Sequence, residues 1–290
     1  MEVEKVIISA EELNSLISLN LPNLKILDCA WYLPHLKIDP KEEFKKETIS
    51  NAIFFEIDKI NDTSLNLPHM LPSVEQFIMQ MKELGIAKDD IIVCFDHLGI
   101  FSSPRVWYTF KVYGCENVKI LDGGLIDWKN KNFPTENGKF HKVYNLNGNY
   151  NYVKYDKMVC NMNFINEKVI PKLLKDPNNC EYILIDARAA ERFNGEVEEK
   201  RPGLRKGHVP GAKNLPFGLL LNDKKNYKNI DELQNIFKEN GFDINKKIIC
   251  MCGSGISACV DLLGFYICGY KNLCLYDGSW TEYGSFEEPN

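Results

Sequence analysis

KKIICMCGSGISACVDLLGF, residues 246–265, joins two apolar segments through a short loop of small residues. The first segment has the length and the β-branched content of a buried strand, and the second has the length of a buried helix. The loop, residues 252–257, contains two glycines and two serines. A strand that passes through such a loop into a helix is typical of a parallel α/β sheet, where ligands bind at the carboxyl ends of the strands.

The loop also satisfies the G-x-G-x-x-A pattern of dinucleotide-binding folds, through Gly253, Gly255 and Ala258. Asp277 stands about where that pattern places its ribose-binding carboxylate, but only 13 residues follow it. These residues are too few to build the further strand–helix units of a nucleotide-binding half. A Cys-x5-Arg phosphatase loop is excluded as well, because Ala258 stands where the phosphate-binding arginine is needed. The sequence therefore disfavours phosphate as the ligand.

Cys252, the first residue of the loop, offers a second interpretation. A cysteine between a strand and a helix N-terminus faces backbone N–H groups and the positive end of the helix dipole, and both stabilise a thiolate. Ser254 and Ser257 add hydroxyl donors. We expect Cys252 to be a nucleophile, and the alternative is a buried structural cysteine beside Cys250 and Cys259.

The ten cysteines contain no C-x-x-C pair, and most of them lie in apolar segments. Cysteine behaves there as a small buried hydrophobe, so a reducing compartment explains the composition better than a disulfide framework. Neither the cysteines nor the histidines have the spacing of a zinc site. We therefore expect no metal, and we expect a cytoplasmic protein.

Composition limits the class of protein further. The chain has 290 residues and a net charge of −5, with no long basic block, so nucleic acid and anionic membranes are not favoured partners. The first residues, MEVEKVIISAEEL, lack the layout of a signal or transit peptide. No apolar run approaches the ~18 residues of a membrane-spanning helix. The length favours two domains.

The same order of segments occurs twice, with an offset of about 155–160 residues. We interpret the chain as two homologous α/β domains, each a parallel β-sheet flanked by helices. They span residues 1–137 and 157–290, and an ordered linker, 138–156, joins them. The position that we match to Cys252 in the first half is Phe95, so only the second half can carry out thiol chemistry. The matched pairs are 23–31 with 181–189, 49–58 with 207–217, 74–86 with 231–242, 89–95 with 246–252, and 114–128 with 269–283.

These segments resemble the tandem-domain rhodanese family of sulfurtransferases over essentially the whole chain. In the second half the resemblance rests on DARAAERFNGEVEEKRPGLRKGHVPGAKNLPF (186–217), CGSGISAC (252–259) and YDGSWTEY (276–283). In the first half it rests on DCAWYLP (28–34), FFEID (54–58), HMLP (69–72), SSPRVWYTFKVYG (102–114) and LDGG (121–124). The resemblance implies two rhodanese-like domains, of which the first is catalytically inactive and the second carries Cys252.

The resemblance also implies a reaction that needs no cofactor. Cys252 would take sulfur from 3-mercaptopyruvate as a persulfide and release pyruvate. The sulfur would then pass to a thiol acceptor, such as thioredoxin or a small thiol, or to cyanide. Family members that use thiosulfate carry basic residues directly after the cysteine, whereas Gly253 and Ser254 are neutral. The alternatives are a thiosulfate:cyanide sulfurtransferase, and a non-catalytic module that binds a partner or senses redox state through Cys250 or Cys259.

Arg192 and Arg201 match the two family arginines that bind the carboxylate and the keto oxygen of the substrate. A guanidinium can pair with a planar carboxylate through two hydrogen bonds, which a lysine cannot do. The alternative for both residues is an ordinary solvated charge, above all for Arg201 in the basic segment KRPGLRK. Arg188, which follows Asp186 closely, is expected to brace the domain internally.

Ser254 matches a family serine that is proposed to act with an aspartate and a histidine of the first domain, here Asp58 and His69. Such a relay would deliver the proton that the departing enolate needs. We expect these residues and Cys252 to be catalytic. The residues expected to hold the persulfide are Gly253, Ser254, Gly255, Ile256 and Ser257.

Overall fold

The computed structural model describes residues 5–140 and 147–285. They form two compact units, each built around a five-stranded sheet. The first unit consists of residues 5–62, 71–140, 147–155 and 223–227. The second consists of residues 63–70, 156–222 and 228–285. No helix in these described ranges is long and apolar enough to cross a membrane.

The first unit contains a parallel sheet with the strand order β1-β6-β5-β2-β4, while β3 and β7 form a separate antiparallel pair. Its helices begin where the sequence offers capping residues, for example at Ser9 and Ser73, each of which forms a capping box with the residue three positions later. In chain order the elements are β1 (Ile7–Ile8), α1 (Ala10–Ser18), β2 (Leu24–Asp28), a 3-10 turn (Pro34–Leu36), α2 (Pro40–Lys46), β3 (Thr48–Ile49), β4 (Ile53–Phe54), α3 (Val74–Leu84), β5 (Ile91–Phe95), α4 (Ser103–Val112), β6 (Val118–Leu121), α5 (Gly124–Asn130) and β7 (Thr135–Glu136).

The second unit repeats this topology, with the strand order β10-β9-β11-β12-β8 and all neighbours parallel. In chain order the elements are a 3-10 turn (Asp156–Met158), β8 (Val159–Cys160), α6 (Met162–Phe164), a π-helical turn (Ile165–Val169), α7 (Ile170–Lys175), β9 (Tyr182–Asp186), α8 (Ala190–Phe193), β10 (Lys213–Asn214), a 3-10 turn (Phe217–Leu220), α9 (Ile230–Glu239), β11 (Lys247–Met251), α10 (Ala258–Ile267), β12 (Leu273–Tyr276) and α11 (Ser279–Tyr283). The predicted fold class, two α/β domains with parallel sheets, is confirmed.

The central strand of the second unit, β11, is apolar on both faces. Ile249 and Met251 belong to a buried cluster with Trp280. Side chains alternate along a strand, so Ile248 and Cys250 lie on the opposite face. The helix α10 packs on β11 and β12. A strand that is covered on both faces brings Cys252, the next residue, to a protected edge of the sheet.

Strand register corrects one prediction. Asp28 pairs with Phe95 in the first unit, and Asp186 pairs with Met251 in the second. Phe95 is therefore the counterpart of Met251, and the counterpart of Cys252 is Asp96. The sequence match was one residue out of step, because apolar strands that are buried on both faces give no alternation to fix their alignment.

Several elements differ from the predicted ones in extent. The segment 52–58 contributes only two residues to its sheet, in β4. The edge strands β1 and β8 are equally short, and their sequences gave no period from which to predict them. Of the predicted linker, residues 141–146 lie outside the described residues. Residues 147–155 pack on the first unit, for example through Tyr152, whose Oη donates to the Ile86 carbonyl at 2.9 Å. The domain boundaries at 137 and 157 stay predictions.

Candidate active site

The backbone of Cys252 is held on both sides by the turn that begins α11. The Cys252 N–H donates to Ser279 Oγ at 3.1 Å, and the Cys252 carbonyl accepts from the Trp280 N–H at 3.0 Å. The next carbonyl, that of Gly253, accepts from both N and Oγ1 of Thr281, at 2.8 and 2.6 Å. Cys252 as a residue is only 2% exposed to solvent. The thiol thus stands on a backbone that four hydrogen bonds fix in place.

Ser279 adopts a left-handed backbone conformation, with φ +52°. Its hydroxyl accepts from the Cys252 N–H and donates to the Tyr276 carbonyl at 2.9 Å. A non-glycine residue in this region is strained by about 1–3 kcal/mol, and it persists where its surroundings hold it. The segment YDGSWTEY carries part of the family resemblance, but nothing in its sequence marks Ser279 or Thr281 as supports of the loop.

The second half of the loop turns directly into α10. Gly255 has φ +78°, a conformation that favours glycine, so it permits the reversal of the chain. The Cys259 N–H then donates to the Ile256 carbonyl at 3.1 Å, and the Val260 N–H donates to the Ser257 carbonyl at 3.0 Å. These two turns bring the N-terminus of the ten-residue helix α10 directly after the loop. The positive end of the helix dipole favours negative charge there.

The structure brings both predicted arginines to the loop. A Cβ atom added to Gly253 would lie 3.4 Å from Arg192 Nη2, so the guanidinium occupies space that a side chain at 253 would contest. Arg201 Nη2 donates to Ser254 Oγ over 3.5 Å. Arg192 and Arg201 are both partly exposed, and Ser254 is buried. Two guanidinium groups therefore flank the residues that follow Cys252.

Arg188 is an internal brace, as the sequence predicted. It is buried, and its guanidinium donates to both carboxyl oxygens of Asp186, to Glu199 Oε1 at 2.7 Å and to the Gly207 carbonyl at 2.7 Å. Its guanidinium carbon lies 4.4 Å from the ring centroid of Trp280. Burial raises the pKa of Asp186, and the hydrogen bonds and charge of Arg188 oppose that rise.

Glu199 connects this brace to the site. Its Oε1 accepts from Arg188, and its Oε2 accepts from Arg192 Nη2 at 2.5 Å. The Glu199 side chain is only 2% exposed. The carboxylate therefore orients Arg192 and balances part of its charge. The sequence did not reveal this role, because Glu199 stands in the acidic segment EVEEK, and such a segment is typical of a solvent-exposed surface.

Asp58 and His69 lie in different units. The Asp58 carboxylate, in the first unit, accepts from Trp31 Nε1 at 3.1 and 3.3 Å and is exposed. His69, in the second unit, is buried and has a left-handed backbone, with φ +62°. The catalytic roles of both residues stay predictions.

The corresponding loop of the first unit binds a carboxylate of its own. Asp96 Oδ2 accepts from the N–H groups of Phe101, Ser102 and Ser103 at 3.0, 3.0 and 2.9 Å, and from Ser103 Oγ at 2.8 Å. Asp96 Oδ1 accepts from the Leu98 N–H at 3.0 Å. Burial raises the pKa of Asp96, and these hydrogen bonds oppose it. The loop after β5 is thus filled by an anion from its own chain and offers no thiol.

Within residues 5–140 and 147–285, no group of three or more histidine, cysteine, aspartate or glutamate side chains could hold a metal ion. All ten cysteines are free.

Comparisons with known proteins agree with this geometry. The protein-family model of the rhodanese-like domain matches this sequence twice, at residues 9–131 and 170–285. The chain therefore belongs to the rhodanese family. Its relatives include 3-mercaptopyruvate sulfurtransferase from Mus musculus, which is 35% identical over 92% of this chain and 86% of its own length.

A second relative is thiosulfate/3-mercaptopyruvate sulfurtransferase 1, mitochondrial, from Arabidopsis thaliana, which is 36% identical over 92% of this chain and 73% of its own length. Among solved structures, the crystal structure of SseA from Escherichia coli, described with the rhodanese fold and mechanism of 3-mercaptopyruvate sulfotransferases, has a TM-score of 0.81. SseA is 34% identical, and the match covers 95% of this chain and 99% of SseA.

Proposed function

We propose that this protein is a 3-mercaptopyruvate sulfurtransferase in which Cys252 is the nucleophile. The observation that carries the proposal is the loop itself, where the backbone of Cys252 is fixed and two arginines flank the residues that follow it. The names of the relatives support the same donor. In the first half-reaction the Cys252 thiolate attacks the sulfur of mercaptopyruvate. A sulfur–sulfur bond forms, the carbon–sulfur bond breaks, and its electron pair leaves on the enolate of pyruvate.

Arg192 and Arg201 bind the carboxylate and the keto oxygen of the donor. These contacts hold the carbonyl where it can accept the electron pair of the breaking bond. The enolate then takes up a proton, and Ser254 with His69 and Asp58 is the relay that we propose for it. Ser254 supports this part because it stands two residues after Cys252 and its hydroxyl accepts from Arg201 Nη2.

The persulfide on Cys252 is held by the backbone of Gly253, Ser254, Gly255, Ile256 and Ser257. In the second half-reaction an acceptor thiolate attacks the outer sulfur and regenerates the Cys252 thiolate. We propose thioredoxin or a small thiol as the acceptor, with cyanide as a substitute. The ten free cysteines support a reducing compartment, and we propose the cytoplasm.

The charge of the site favours mercaptopyruvate over thiosulfate. Thiosulfate carries two negative charges near the transferred sulfur, whereas mercaptopyruvate carries its carboxylate two carbons away. The residues directly after Cys252 are neutral, and Arg192 shares its charge with Glu199. A site with this little excess positive charge suits the singly charged donor.

A redox-sensing role has less support in the geometry. Cys250 is fully buried, and burial raises the pKa of its thiol far above the usual range. Cys259 is also fully buried, and its Sγ donates to the Gly255 carbonyl at 3.4 Å. Neither thiol has the exposed, ionisable character of a cysteine that resolves an oxidised partner.

The choice of sulfur donor distinguishes the proposed function from its alternatives. Purified protein is given mercaptopyruvate or thiosulfate with cyanide as the acceptor, and kcat/KM is measured for each donor. We expect mercaptopyruvate to be preferred by at least about tenfold, with Arg192→Lys raising its KM. A preference for thiosulfate would establish the thiosulfate:cyanide alternative, and no turnover with either donor would favour the partner-binding module.

A further inference from the structure

The segment that carries Arg201 is an irregular connection within the second unit. Residues 201–205, RPGLR, lie between α8 and β10 and belong to no helix or strand. Arg201 Nη2 donates to Ser254 Oγ over 3.5 Å, which is long for a hydrogen bond, and the next residues, Pro202 and Gly203, are exposed. A contact of this length does not by itself fix a guanidinium, so the position of Arg201 depends on how its segment is anchored.

Arg205, at the other end of the segment, is bound to α11 through its backbone and its side chain. Its N–H donates to the Gly284 carbonyl at 3.1 Å, and its carbonyl accepts from Trp280 Nε1 at 3.1 Å. Its Nη2 donates to the carbonyl of Tyr283, the last residue of α11, at 3.3 Å. Leu204 packs on the buried cluster that contains Trp280 and Tyr283. The end of the segment is thus attached to the last turns of the second unit.

The Arg205 guanidinium lies where both aromatic rings of α11 favour a cation. Its Cζ is 5.0 Å from the ring centroid of Tyr283 and 5.7 Å from that of Trp280. A cation near an aromatic face is attracted by the ring. A cation at the C-terminal end of a helix also interacts favourably with the last carbonyls. The side chain of Arg205 therefore strengthens the attachment that its backbone makes.

The helix α11 also holds the loop that carries Cys252. Ser279 Oγ accepts from the Cys252 N–H at 3.1 Å, and the Trp280 N–H donates to the Cys252 carbonyl at 3.0 Å. With five residues, α11 is too short to be stable alone, so tertiary contacts hold it in place. Cys252 is attached to this helix directly, and Arg201 is attached to it through Arg205.

We propose that Arg205 is a positioning residue for Arg201: by holding residues 201–205 on α11, its guanidinium sets where the Arg201 guanidinium stands relative to Cys252. The inference rests on the proposed function in taking Arg201 as a ligand of the donor. Arg205 acts through the backbone that joins the two arginines. Its loss should therefore weaken the binding of the donor and leave the reaction of the thiol unchanged.

The first test separates donor binding from chemistry. Arg205→Met keeps an apolar stem but loses the charge and the hydrogen-bond donor. We expect KM for mercaptopyruvate to rise about fivefold and kcat to stay within about twofold of wild type. Arg205→Lys returns a cation to the rings and should recover most of the loss. Lys206→Met, which removes an exposed partner of Glu198, is the control and should match the wild type. An unchanged KM in Arg205→Met would overturn the proposal.

A double-mutant cycle tests whether Arg205 acts through Arg201. Arg201→Ala removes the group that Arg205 is proposed to position. In that background Arg205→Met should change kcat/KM for mercaptopyruvate by less than about 1.5-fold. A loss of about fivefold that persists in the Arg201→Ala background would assign Arg205 to the support of the Cys252 loop and would contradict the proposal.

Hydrogen exchange tests the attachment without any donor. The full-length wild-type and Arg205→Met proteins are compared by mass spectrometry of their peptides. Residues 201–206 should exchange about tenfold faster in Arg205→Met, while β11 should be unchanged. If the wild type does not turn over mercaptopyruvate, the proposed function fails, and this measurement still decides whether Arg205 holds the segment. If Arg205→Met does not fold, Arg205→Gln serves in all three measurements. Unchanged exchange of residues 201–206 would contradict the proposal.

Discussion

The two units end their central strands in the same way and use the following loop differently. After β5 comes Asp96, and after β11 comes Cys252, each at the register position where the strand leaves the sheet. The first loop donates three N–H groups and a hydroxyl to a single carboxylate oxygen. The second loop is fixed from outside, by the hydroxyl of Ser279 on the Cys252 N–H. A loop that binds its own anion is a structural element, whereas one that presents an ionisable thiol is available for chemistry.

The neighbouring strands show a second difference of the same kind. Asp28, the last residue of β2, accepts from Thr48 Oγ1 at 2.7 Å and from His97 Nε2 at 2.8 Å. Asp186, the last residue of β9, is paired with Arg188. A histidine loses its charge near neutral pH and an arginine does not. The second unit therefore has a brace whose cation keeps its charge through neutral pH, and the first unit has one whose cation does not.

The largest change in stability should follow Asp96→Asn. The amide has only one acceptor oxygen, so either the four donors to Oδ2 or the Leu98 N–H must face an NH2 group, and the loop loses its negative charge. We expect a loss of about 3 kcal/mol in the free energy of unfolding, measured by urea denaturation. Asp89→Asn, at an exposed position on the same unit, should change it by less than about 0.5 kcal/mol. Equal stability of the two variants would show that the carboxylate does not organise the first loop.

Ser279→Ala removes the external support of the loop that carries Cys252. The Cys252 N–H loses its acceptor, and the strained backbone at 279 loses the hydroxyl that holds it. We expect kcat/KM for mercaptopyruvate to fall by about 10- to 100-fold, because the thiol is displaced from its attacking position. Ser285→Ala, where an exposed hydroxyl donates to the Glu282 carbonyl, is the control and should leave kcat/KM unchanged. A Ser279→Ala enzyme with wild-type kcat/KM would remove this support from the site.

Glu199→Gln tests the charge balance at Arg192. The amide keeps an acceptor for the guanidinium but removes the negative charge, so the site becomes more positive. We expect the ratio of kcat/KM for thiosulfate to that for mercaptopyruvate to rise about fivefold, equivalent to about 1 kcal/mol. Glu198→Gln, whose exposed partner is Lys206, provides the control. An unchanged ratio would show that Glu199 only braces Arg188.

The smallest effect concerns His97. Burial by itself lowers the pKa of His97, but its hydrogen bond and charge interaction with Asp28 outweigh burial, so the net shift is upward. A raised histidine pKa contributes stability that is complete below about pH 6.5 and is lost as pH rises through the folded-state value. Unfolding of the wild-type protein should therefore become easier by about 1 kcal/mol between about pH 6 and pH 8.

His97→Asn should remove this dependence, and His208→Asn, at an exposed position of the second unit, should keep it. Both variants are compared by urea denaturation across the pH range. A His97→Asn protein that retains the wild-type pH dependence would assign the effect to another group.

The sequence predicted the repeated α/β architecture because continuous apolar strands such as β5 alternate with capped, amphipathic helices such as α3. It also predicted that both arginines serve the loop after Cys252, and the structure places them there, while their roles and that of Cys252 stay predictions. Ser279 was missed because its role arises from a hydrogen bond to a residue 27 positions away, and Glu199 was missed because it stands in an acidic segment that is typical of a solvated surface. The sequence matched Cys252 to Phe95 and not to its counterpart Asp96, because an apolar strand has no alternation that fixes its register.

The most direct measurement is the intact mass of the protein after incubation with 3-mercaptopyruvate and without an acceptor. We predict a gain of one sulfur atom, with one pyruvate released per chain, and fragmentation should place that sulfur on Cys252. Cys252→Ser should show neither change, while Cys259→Ser should behave as the wild type. A sulfur gain that persists in Cys252→Ser, or a wild-type protein that gains no sulfur, would contradict the assignment of Cys252 as the nucleophile.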